Sequence, residues 1–165
     1  MTEHRENIRG HAGCGVLVTS DTRTEKNDET GRNAVRLLEE AGHRVYAYEF
    51  VTNDKRAIQE AVRRLLDDDR IDVVITSGGT GISSKDRTVE AVTELLEKQI
   101  EGFGELFRRL SYDEIGGAAI LSRAVAGTVG RKLVFSLPGS RGAVELGLRK
   151  IILPVVGHML WEVNR

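Results

Sequence analysis

The sequence predicts an α/β fold, specifically a three-layer α/β/α sandwich with a mostly parallel sheet and helices on both of its faces. Short runs rich in β-branched residues alternate along the chain with longer segments of helical period. The short runs are apolar almost throughout, which is typical of parallel strands buried on both faces. Glycine makes up 18 of the 165 residues and is concentrated between the predicted elements, where it indicates tight turns.

The first half of the chain carries three predicted strands, at residues 15–19, 43–51 and 71–76. A helix is predicted over 29–41, because its apolar residues lie on one face. Gly42 follows it, at a position where a left-handed cap is common. Apolar residues from Ile58 to Leu66 recur at helical spacing, which predicts a second helix with one face in the core.

The second half of the chain is predicted to begin with a helix from Val89 to Ile100, followed by two short helices over 103–110 and 115–123. Strands predicted at 124–129 and 132–137 are separated by Gly130-Arg131, which favours a hairpin. The last predicted helix carries Val144, Leu148 and Ile151. Pro154 is expected to break or kink it before residues 155–163.

Composition excludes several classes of function. The 24 Lys and Arg residues nearly balance the 25 Asp and Glu residues, so we expect no nucleic-acid or anionic-membrane partner. No apolar run approaches the roughly 18 residues that span a bilayer. The charged start differs from a signal segment, and there is a single cysteine, so we expect a cytoplasmic protein. Residues 1–12 are predicted as a flexible N-terminus and 13–165 as a single domain.

The loop after the third predicted strand is the strongest candidate for a binding site. Ligands of parallel α/β sheets lie beyond the carboxyl ends of the strands, and this loop has the sequence Ser77-Gly78-Gly79-Thr80-Gly81. Its glycines let the backbone approach a ligand and present N–H groups to an anion, while its hydroxyls add hydrogen-bonding groups. A tight turn without a ligand explains the same composition. The loop matches neither a Walker A motif nor the dinucleotide motif G-x-G-x-x-G.

Two aspartates follow predicted strands, and each admits two roles. Asp86 comes shortly after the glycine loop, and Asp54 opens the helix after the second strand. Each could cap its helix by accepting N–H bonds from the first turn. Each could also hold Mg²⁺, which bridges carboxylates and phosphates. A shared position at the same predicted rim of the sheet favours a functional role.

Two further loops add polar groups to the same edge of the sheet. Gly139-Ser140 ends the last predicted strand and opens the last helix, whose N-terminus could seat a phosphate or could simply be capped by Ser140. Ser20 and Asp21, together with Arg23, follow the first strand. Loops in that place are often polar for solubility alone, so this signal is weak.

Seven segments of the sequence, taken in order, resemble a known family. They are Val18-Thr-Ser20-Asp21, Asp28-Glu-Thr-Gly31, Thr76-Ser-Gly-Gly-Thr-Gly81, Lys85-Asp86-Arg-Thr88, Gly102-Phe-Gly-Glu105, Ile120-Leu-Ser-Arg123 and Leu137-Pro-Gly-Ser140. Together they resemble the MoaB/MogA family of molybdopterin-binding proteins, over roughly residues 14–155.

The resemblance implies an α/β sandwich fold and an activity. In that family ATP and Mg²⁺ are used to transfer AMP to the terminal phosphate of molybdopterin, with release of pyrophosphate. The aspartate required for catalysis matches Asp86, and a second one matches Asp54; both are expected to hold Mg²⁺. Residues 77–81 with Gly139 and Ser140 match the pocket for the pterin phosphate, and Ser20 and Asp21 are expected to bind substrate as well.

The resemblance also implies partners and leaves alternatives open. A MoeA-like protein would afterwards insert molybdate, or tungstate. A homotrimer or homohexamer is expected, with the apolar segments 115–121 and 155–161 as possible subunit contacts. The main alternative is a non-catalytic molybdopterin carrier of the same fold. A scaffold like gephyrin, or a nicotinamide-nucleotide hydrolase with a related domain, is less expected because both use additional domains.

Overall fold

A six-stranded sheet forms the centre of the computed structural model, which describes residues 10–165. Its strands are β1 (Gly13–Thr19), β2 (Arg44–Val51), β3 (Val73–Ser77), β4 (Lys98–Gln99), β5 (Val125–Val129) and β6 (Lys132–Leu137). They lie in the order β2-β1-β3-β6-β5-β4. Strands β2, β1, β3 and β6 run parallel to one another, whereas β5 is antiparallel to both β6 and β4. The mostly parallel sheet and the hairpin that the sequence predicts are confirmed.

Helices cover both faces of the sheet, which confirms the three-layer arrangement. They are α1 (Glu29–Glu40), α2 (Lys55–Asp67), α3 (Thr88–Thr93), α4 (Glu101–Ile115), a 3₁₀ helix (Gly116–Leu121), α5 (Arg141–Leu146), a π-helix (Gly147–Ile152) and α6 (Leu153–Asn164). One core contains side chains of α1, α4, α5, the π-helix and α6, and the other contains those of α2 and α3. Successive strand residues supply opposite cores, as Val16 and Leu17 do.

Between α3 and β5 the structure differs from the helix that apolar spacing predicts. α3 ends at Thr93 instead of continuing to Ile100, and residues 98–99 form the edge strand β4. The N–H of Ile100 donates to the carbonyl oxygen of Ala126 in β5 (2.8 Å). Because this partner strand lies far away in sequence, the local period could not reveal the pairing.

The two short helices predicted over 103–123 are instead one long helix, α4, followed by the 3₁₀ helix. The change occurs at Gly116, whose φ of +65° ends the α-helix. The last helical region is not broken at Pro154, since α5, the π-helix and α6 follow one another without interruption. Pro154 lies in the first turn of α6, directly after the wide π turn, and this placement accommodates its missing N–H.

The predicted flexible N-terminus covers residues 1–12, of which 1–9 lie outside the described residues. Ala12, however, is buried, and its N–H donates to Nδ1 of His43 (3.0 Å). Packed structure therefore begins no later than Ala12, just before β1. Within residues 10–165, none of the helices combines the length and the apolar character needed to cross a membrane.

The carboxyl ends of the parallel strands meet at one edge of the sheet. The N–H of Gly78, after β3, donates to the carbonyl oxygen of Leu137 at the end of β6 (2.9 Å). The N–H of Ser20, after β1, donates to the carbonyl oxygen of Val51 at the end of β2 (2.9 Å). The four loops that the sequence singled out are thereby brought together.

Candidate functional site

A cleft with a volume of about 490 Å³ opens between these four loops. Fourteen residues line it: Thr19, Ser20, Thr22, Arg23, Asn53, Gly78, Gly79, Thr80, Gly81, Asp86, Leu121, Ser122, Pro138 and Gly139. Half of them are residues that the sequence predicted for the site, namely Ser20, Gly78, Gly79, Thr80, Gly81, Asp86 and Gly139.

The glycine loop needs its first two glycines for reasons of backbone conformation and packing. Gly78 and Gly79 have φ of +103° and +71°, in the region that side chains disfavour. A Cβ on Gly78 would lie 2.3 Å from the carbonyl oxygen of Thr19, and one on Gly79 would lie 2.2 Å from Oγ1 of Thr88. The space beside Gly79 is thus filled by the protein.

The same loop presents N–H groups that can bind an anion. The N–H groups of Gly79, Thr80 and Gly81 donate to no acceptor among residues 10–165. The Arg123 guanidinium holds the loop by its carbonyl side, donating from Nε (2.9 Å) and Nη2 (2.6 Å) to the oxygen of Gly81. Arg123 also donates to Glu90 and thereby lowers the pKa of that carboxyl. The loop is therefore braced while its N–H groups remain available.

Buried polar atoms without a partner are concentrated around the cleft. Among the described residues, four buried side-chain oxygens form no hydrogen bond: those of Thr19, Asn53, Thr88 and Ser122. Three of these side chains belong to cleft-lining residues, and the fourth, Thr88, lies against Gly79. Because buried polar groups are nearly always satisfied, this concentration marks the surroundings of the cleft as the place where the fold leaves polar groups for water or a ligand to satisfy.

Asp86 is the acidic residue of the cleft lining. It does not cap α3, as the sequence allowed, because the helix begins at Thr88 with Arg87 before it. Instead, Oδ2 of Asp86 accepts a hydrogen bond from the N–H of Ser83 (2.9 Å), and this oxygen would lie 2.7 Å from a Cβ on Gly81. Its Oδ1 accepts no hydrogen bond within residues 10–165. That oxygen is free to bind a ligand or a cation.

Asp54 and Ser140 act as helix caps and do not line the cleft. Oδ2 of Asp54 accepts from the N–H of Ala57 at the start of α2 (2.8 Å), and the Ser140 hydroxyl accepts from the N–H of Ala143 at the start of α5 (3.2 Å). The cap role that the sequence allowed for both is confirmed. Next to Asp54, it is Asn53 that reaches the cleft.

Asp21 and Ser77 also lie beside the cleft rather than on its surface. The Asp21 carboxylate accepts hydrogen bonds from the N–H (2.9 Å) and Nδ2 (3.4 Å) of Asn53, and these bonds lower the pKa of Asp21. The buried Ser77 hydroxyl donates to the carbonyl oxygen of Pro138 (3.4 Å). Each of the two therefore ties together a pair of loops that form the cleft.

Sequence reasoning missed several lining residues, namely Thr19, Thr22, Asn53, Leu121, Ser122 and Pro138. Ser122 lies in the segment 120–123, which the family resemblance includes but which carried no predicted site residue. Arg23, for which the sequence signal was weak, is the basic residue of the cleft lining. Together with Asp86 it gives the cleft one side chain of each charge.

The cleft can accept a magnesium ion bound together with phosphate groups. Within residues 10–165, no three His, Cys, Asp or Glu side chains are grouped so as to hold a metal ion by themselves. Mg²⁺ at phosphate sites, however, uses only one or two carboxylates and takes its other ligands from phosphates and water. The free oxygen of Asp86 beside the N–H groups of the glycine loop meets this requirement.

Comparison with known proteins identifies a family for this chain. A family described as a probable molybdopterin binding domain matches residues 15–158. Molybdenum cofactor biosynthesis protein B of Bacillus cereus is 51% identical over 166 residues, covering 100% of this chain and 98% of that protein. The Staphylococcus carnosus protein of the same name is 52% identical over 155 residues, covering 92% and 91%.

Solved structures show the same likeness. The crystal structure of a molybdenum cofactor biosynthesis protein B has a TM-score of 0.92 at 53% identity, covering 94% of this chain and 97% of that one. The tungsten cofactor synthesizing protein MoaB from Pyrococcus furiosus has a TM-score of 0.87 at 36% identity, covering 95% and 99%. On the matches in sequence and structure, this chain belongs to the MoaB/MogA family of proteins with a molybdopterin-binding domain.

Proposed function

We propose that this chain acts in molybdenum cofactor biosynthesis, binding molybdopterin and adenylylating its terminal phosphate with Mg-ATP before molybdate or tungstate is inserted. The observation that carries the proposal is the cleft, where unused N–H groups of the glycine loop, the Arg23 guanidinium and the Asp86 carboxylate occur together. These are groups that bind phosphate and its metal counterion. Family membership supplies the identity of the pterin.

The reaction must bring two anions into contact. An oxygen of the pterin's terminal phosphate forms a bond to the α-phosphorus of ATP, while the bond from that phosphorus to the β-phosphate breaks and pyrophosphate leaves. The N–H groups of residues 79–81 and the Arg23 guanidinium would offset phosphate charge and orient the reacting groups. Asp86 would hold Mg²⁺, which when bound neutralises phosphate charge. The reaction requires no nucleophile from the protein.

We include Asp54 as a second carboxylate because it directly follows the cleft-lining Asn53 in the chain. Its Oδ2 is used by the helix cap, but its Oδ1 accepts no hydrogen bond within residues 10–165. Capping and ligand binding are therefore compatible, and Asp54 would orient the attacking phosphate or hold a second Mg²⁺. Ser20 and Gly139 would contact substrate directly, whereas Asp21, Ser77 and Ser140 would fix the loops around it.

The test is to incubate the protein with molybdopterin, ATP and Mg²⁺ and to measure adenylylated pterin by mass spectrometry, with pterin affinity measured separately. Asp86→Asn removes the charge but keeps an acceptor for the N–H of Ser83. We expect it to lower product formation on the order of 10²-fold or more, with pterin affinity retained. Asp54→Asn is the matched variant, because asparagine caps a helix as well as aspartate does.

The outcomes separate the two candidate functions. Loss of product in Asp86→Asn with intact pterin binding supports adenylylation. Loss of product in the separate variant Asp54→Asn, again with intact binding, assigns a catalytic role to the second carboxylate. A wild-type protein that binds molybdopterin but forms no adenylate would instead support the non-catalytic carrier.

The proposal includes the partners that the family resemblance implies. A MoeA-like molybdate-insertion protein would receive the adenylylated product. Ile115, Ile120 and Leu121 are large apolar residues exposed at the end of α4 and in the 3₁₀ helix, with Ile120 78% exposed. Exposed apolar patches often mark subunit contacts, so we assign these residues to the interface of a homotrimer or homohexamer. Sedimentation that showed only monomers at micromolar concentration would contradict this part.

A further inference from the structure

We propose that Arg23 binds a phosphate group in the cleft and that the buried Asp28 holds Arg23 in position; this role rests on the proposed function. The sequence placed Asp28 in a segment of the family resemblance without giving it a role. The phosphate could belong to molybdopterin or to ATP, and the chemistry of recognition is the same for both. Asp28 would act through Arg23, without contacting the ligand.

Asp28 is an ionisable side chain with no exposed surface, and both of its oxygens have donors within the protein. Oδ1 accepts from the N–H of Gly31 (3.1 Å), which caps α1, and Oδ2 accepts from the hydroxyl of Tyr48. Gly31 is needed for this arrangement, because a Cβ there would lie 2.0 Å from Oδ2 of Asp28. These two hydrogen bonds fix the carboxylate in place without any contribution from Arg23.

Arg23 lies between this carboxylate and the cleft. Its Nη1 is 3.6 Å from Oδ1 of Asp28, and a Cβ on Gly139, across the cleft lining, would lie 3.8 Å from the same nitrogen. The side chain is 35% exposed, and its guanidinium donates to no acceptor among the described residues. The buried charge therefore orients Arg23 by attraction while its N–H groups remain unused. A guanidinium in this state suits the bidentate binding of a phosphate.

A purely structural role is the rival explanation, since Arg23 could serve only to neutralise a buried carboxylate. The two roles make opposite predictions for the double variant. If Arg23 only neutralises Asp28, Arg23→Gln destabilises the fold by leaving a buried charge unpaired, and adding Asp28→Asn restores stability. Ligand affinity of the folded protein would then not change. If Arg23 binds phosphate, the lost affinity stays lost in the double variant.

The experiment measures two dissociation constants, for molybdopterin alone and for Mg-ATP alone, together with Tm. The variants are Arg23→Gln, Arg23→Lys, Asp28→Asn and the double variant Arg23→Gln with Asp28→Asn. Asparagine at 28 can still accept from the N–H of Gly31, so that the α1 cap is kept. The matched control is Arg56→Gln, which removes the same charge from a side chain that is 88% exposed and pairs with Glu60 outside the cleft.

We expect Arg23→Gln to weaken binding of one of the two ligands by about tenfold to a hundredfold, the usual effect of losing charge-assisted hydrogen bonds. The ligand affected identifies the source of the phosphate. Arg23→Lys should recover part of the loss, and Asp28→Asn should weaken the same ligand less than Arg23→Gln does. The double variant should bind no better than Arg23→Gln, and Arg56→Gln should bind as the wild type.

Affinities for both ligands that stay within twofold of wild type in Arg23→Gln would overturn this inference and remove Arg23 from the proposed function. The roles of the glycine loop and Asp86 would stand, because Asp86→Asn tests them separately. Equal affinity of Asp28→Asn and wild type would overturn the positioning role of Asp28. A wild-type protein that binds neither ligand would overturn the proposed function as well.

Discussion

Gly79→Ala tests whether the glycine loop is shaped by the protein itself, as its geometry indicates. The left-handed φ of +71° at Gly79 costs a residue with a side chain roughly 1–2 kcal/mol. The new Cβ would also lie 2.2 Å from Oγ1 of Thr88, well inside the 3.0 Å that Cβ contacts essentially never fall below. Relief of such overpacking typically costs about 1–3 kcal/mol. We therefore expect the free energy of unfolding to fall by roughly 2–5 kcal/mol.

Two companion variants separate the two contributions. Gly42→Ala, at a φ of +90° with nothing within 4 Å of the new Cβ, measures the backbone contribution alone. Thr88→Ala added to Gly79→Ala removes the atom that clashes. Because Oγ1 of Thr88 has no hydrogen-bond partner within residues 10–165, its removal breaks no hydrogen bond.

The assay is urea unfolding without ligand, supported by Tm, which changes by about 2–4 °C per kcal/mol in a domain of this size. We expect Gly79→Ala to lose more stability than Gly42→Ala. The added Thr88→Ala should return part of the difference, because it also removes a buried methyl group and leaves Oδ1 of Asn53 at 3.1 Å from the new Cβ. Equal losses of stability in Gly79→Ala and Gly42→Ala, or no recovery of stability on adding Thr88→Ala, would contradict a clash between residues 79 and 88.

Two other predictions follow from the geometry of the cleft and from burial. Gly81→Ala places a Cβ 2.7 Å from Oδ2 of Asp86 at a residue without positive φ, so it should displace the carboxylate. The proposed adenylylation should then fall by up to about 100-fold, and an unchanged rate would separate Asp86 from that reaction. Burial raises the pKa of Cys14 from 9.0 to about 12. Between these values the thiol ionises in the unfolded chain but stays neutral in the folded protein. Its contribution to the free energy of unfolding is therefore complete below pH 9 and is lost as pH rises from 9 to 12. Denaturation at several pH values should therefore show stability falling over this range, and Cys14→Ala should flatten that fall; an equal slope in both proteins would contradict it.

Much of the fold could be predicted from the sequence because its signals are local. The stripe from Ile58 to Leu66 is the buried face of α2, and the apolar run at 71–76 contains most of β3. The glycine loop could be placed at the carboxyl edge of the sheet, because a ligand-binding loop of a parallel sheet leaves a strand at that end. The edge strand β4 could not be predicted, because its backbone hydrogen bonds go to β5, which is distant in sequence.

The candidate site was predicted in part for the same reason. Residues 78–81 and Asp86 could be predicted because they directly follow one strand in the sequence. In the structure they all line the cleft. Asp54 and Asn53 are neighbours in sequence, yet only Asn53 lines the cleft, because the side chain of Asp54 accepts from the N–H of Ala57 in its own helix. Whether an aspartate at such a position caps a helix or faces a ligand depends on backbone direction, which composition does not specify.

By itself, the sequence determined the order of the strands and helices outside residues 94–123, the glycines at the turns and the family to which the chain belongs, because each depends on residue type and short-range spacing. Only the tertiary structure decided which side chains share the cleft. Arg23 is placed by a carboxylate buried beneath it, and Thr19, Asn53 and Ser122 converge there from three separate segments of the chain. Such convergence depends on how the strands are arranged in the sheet, and it leaves no period or motif in the sequence.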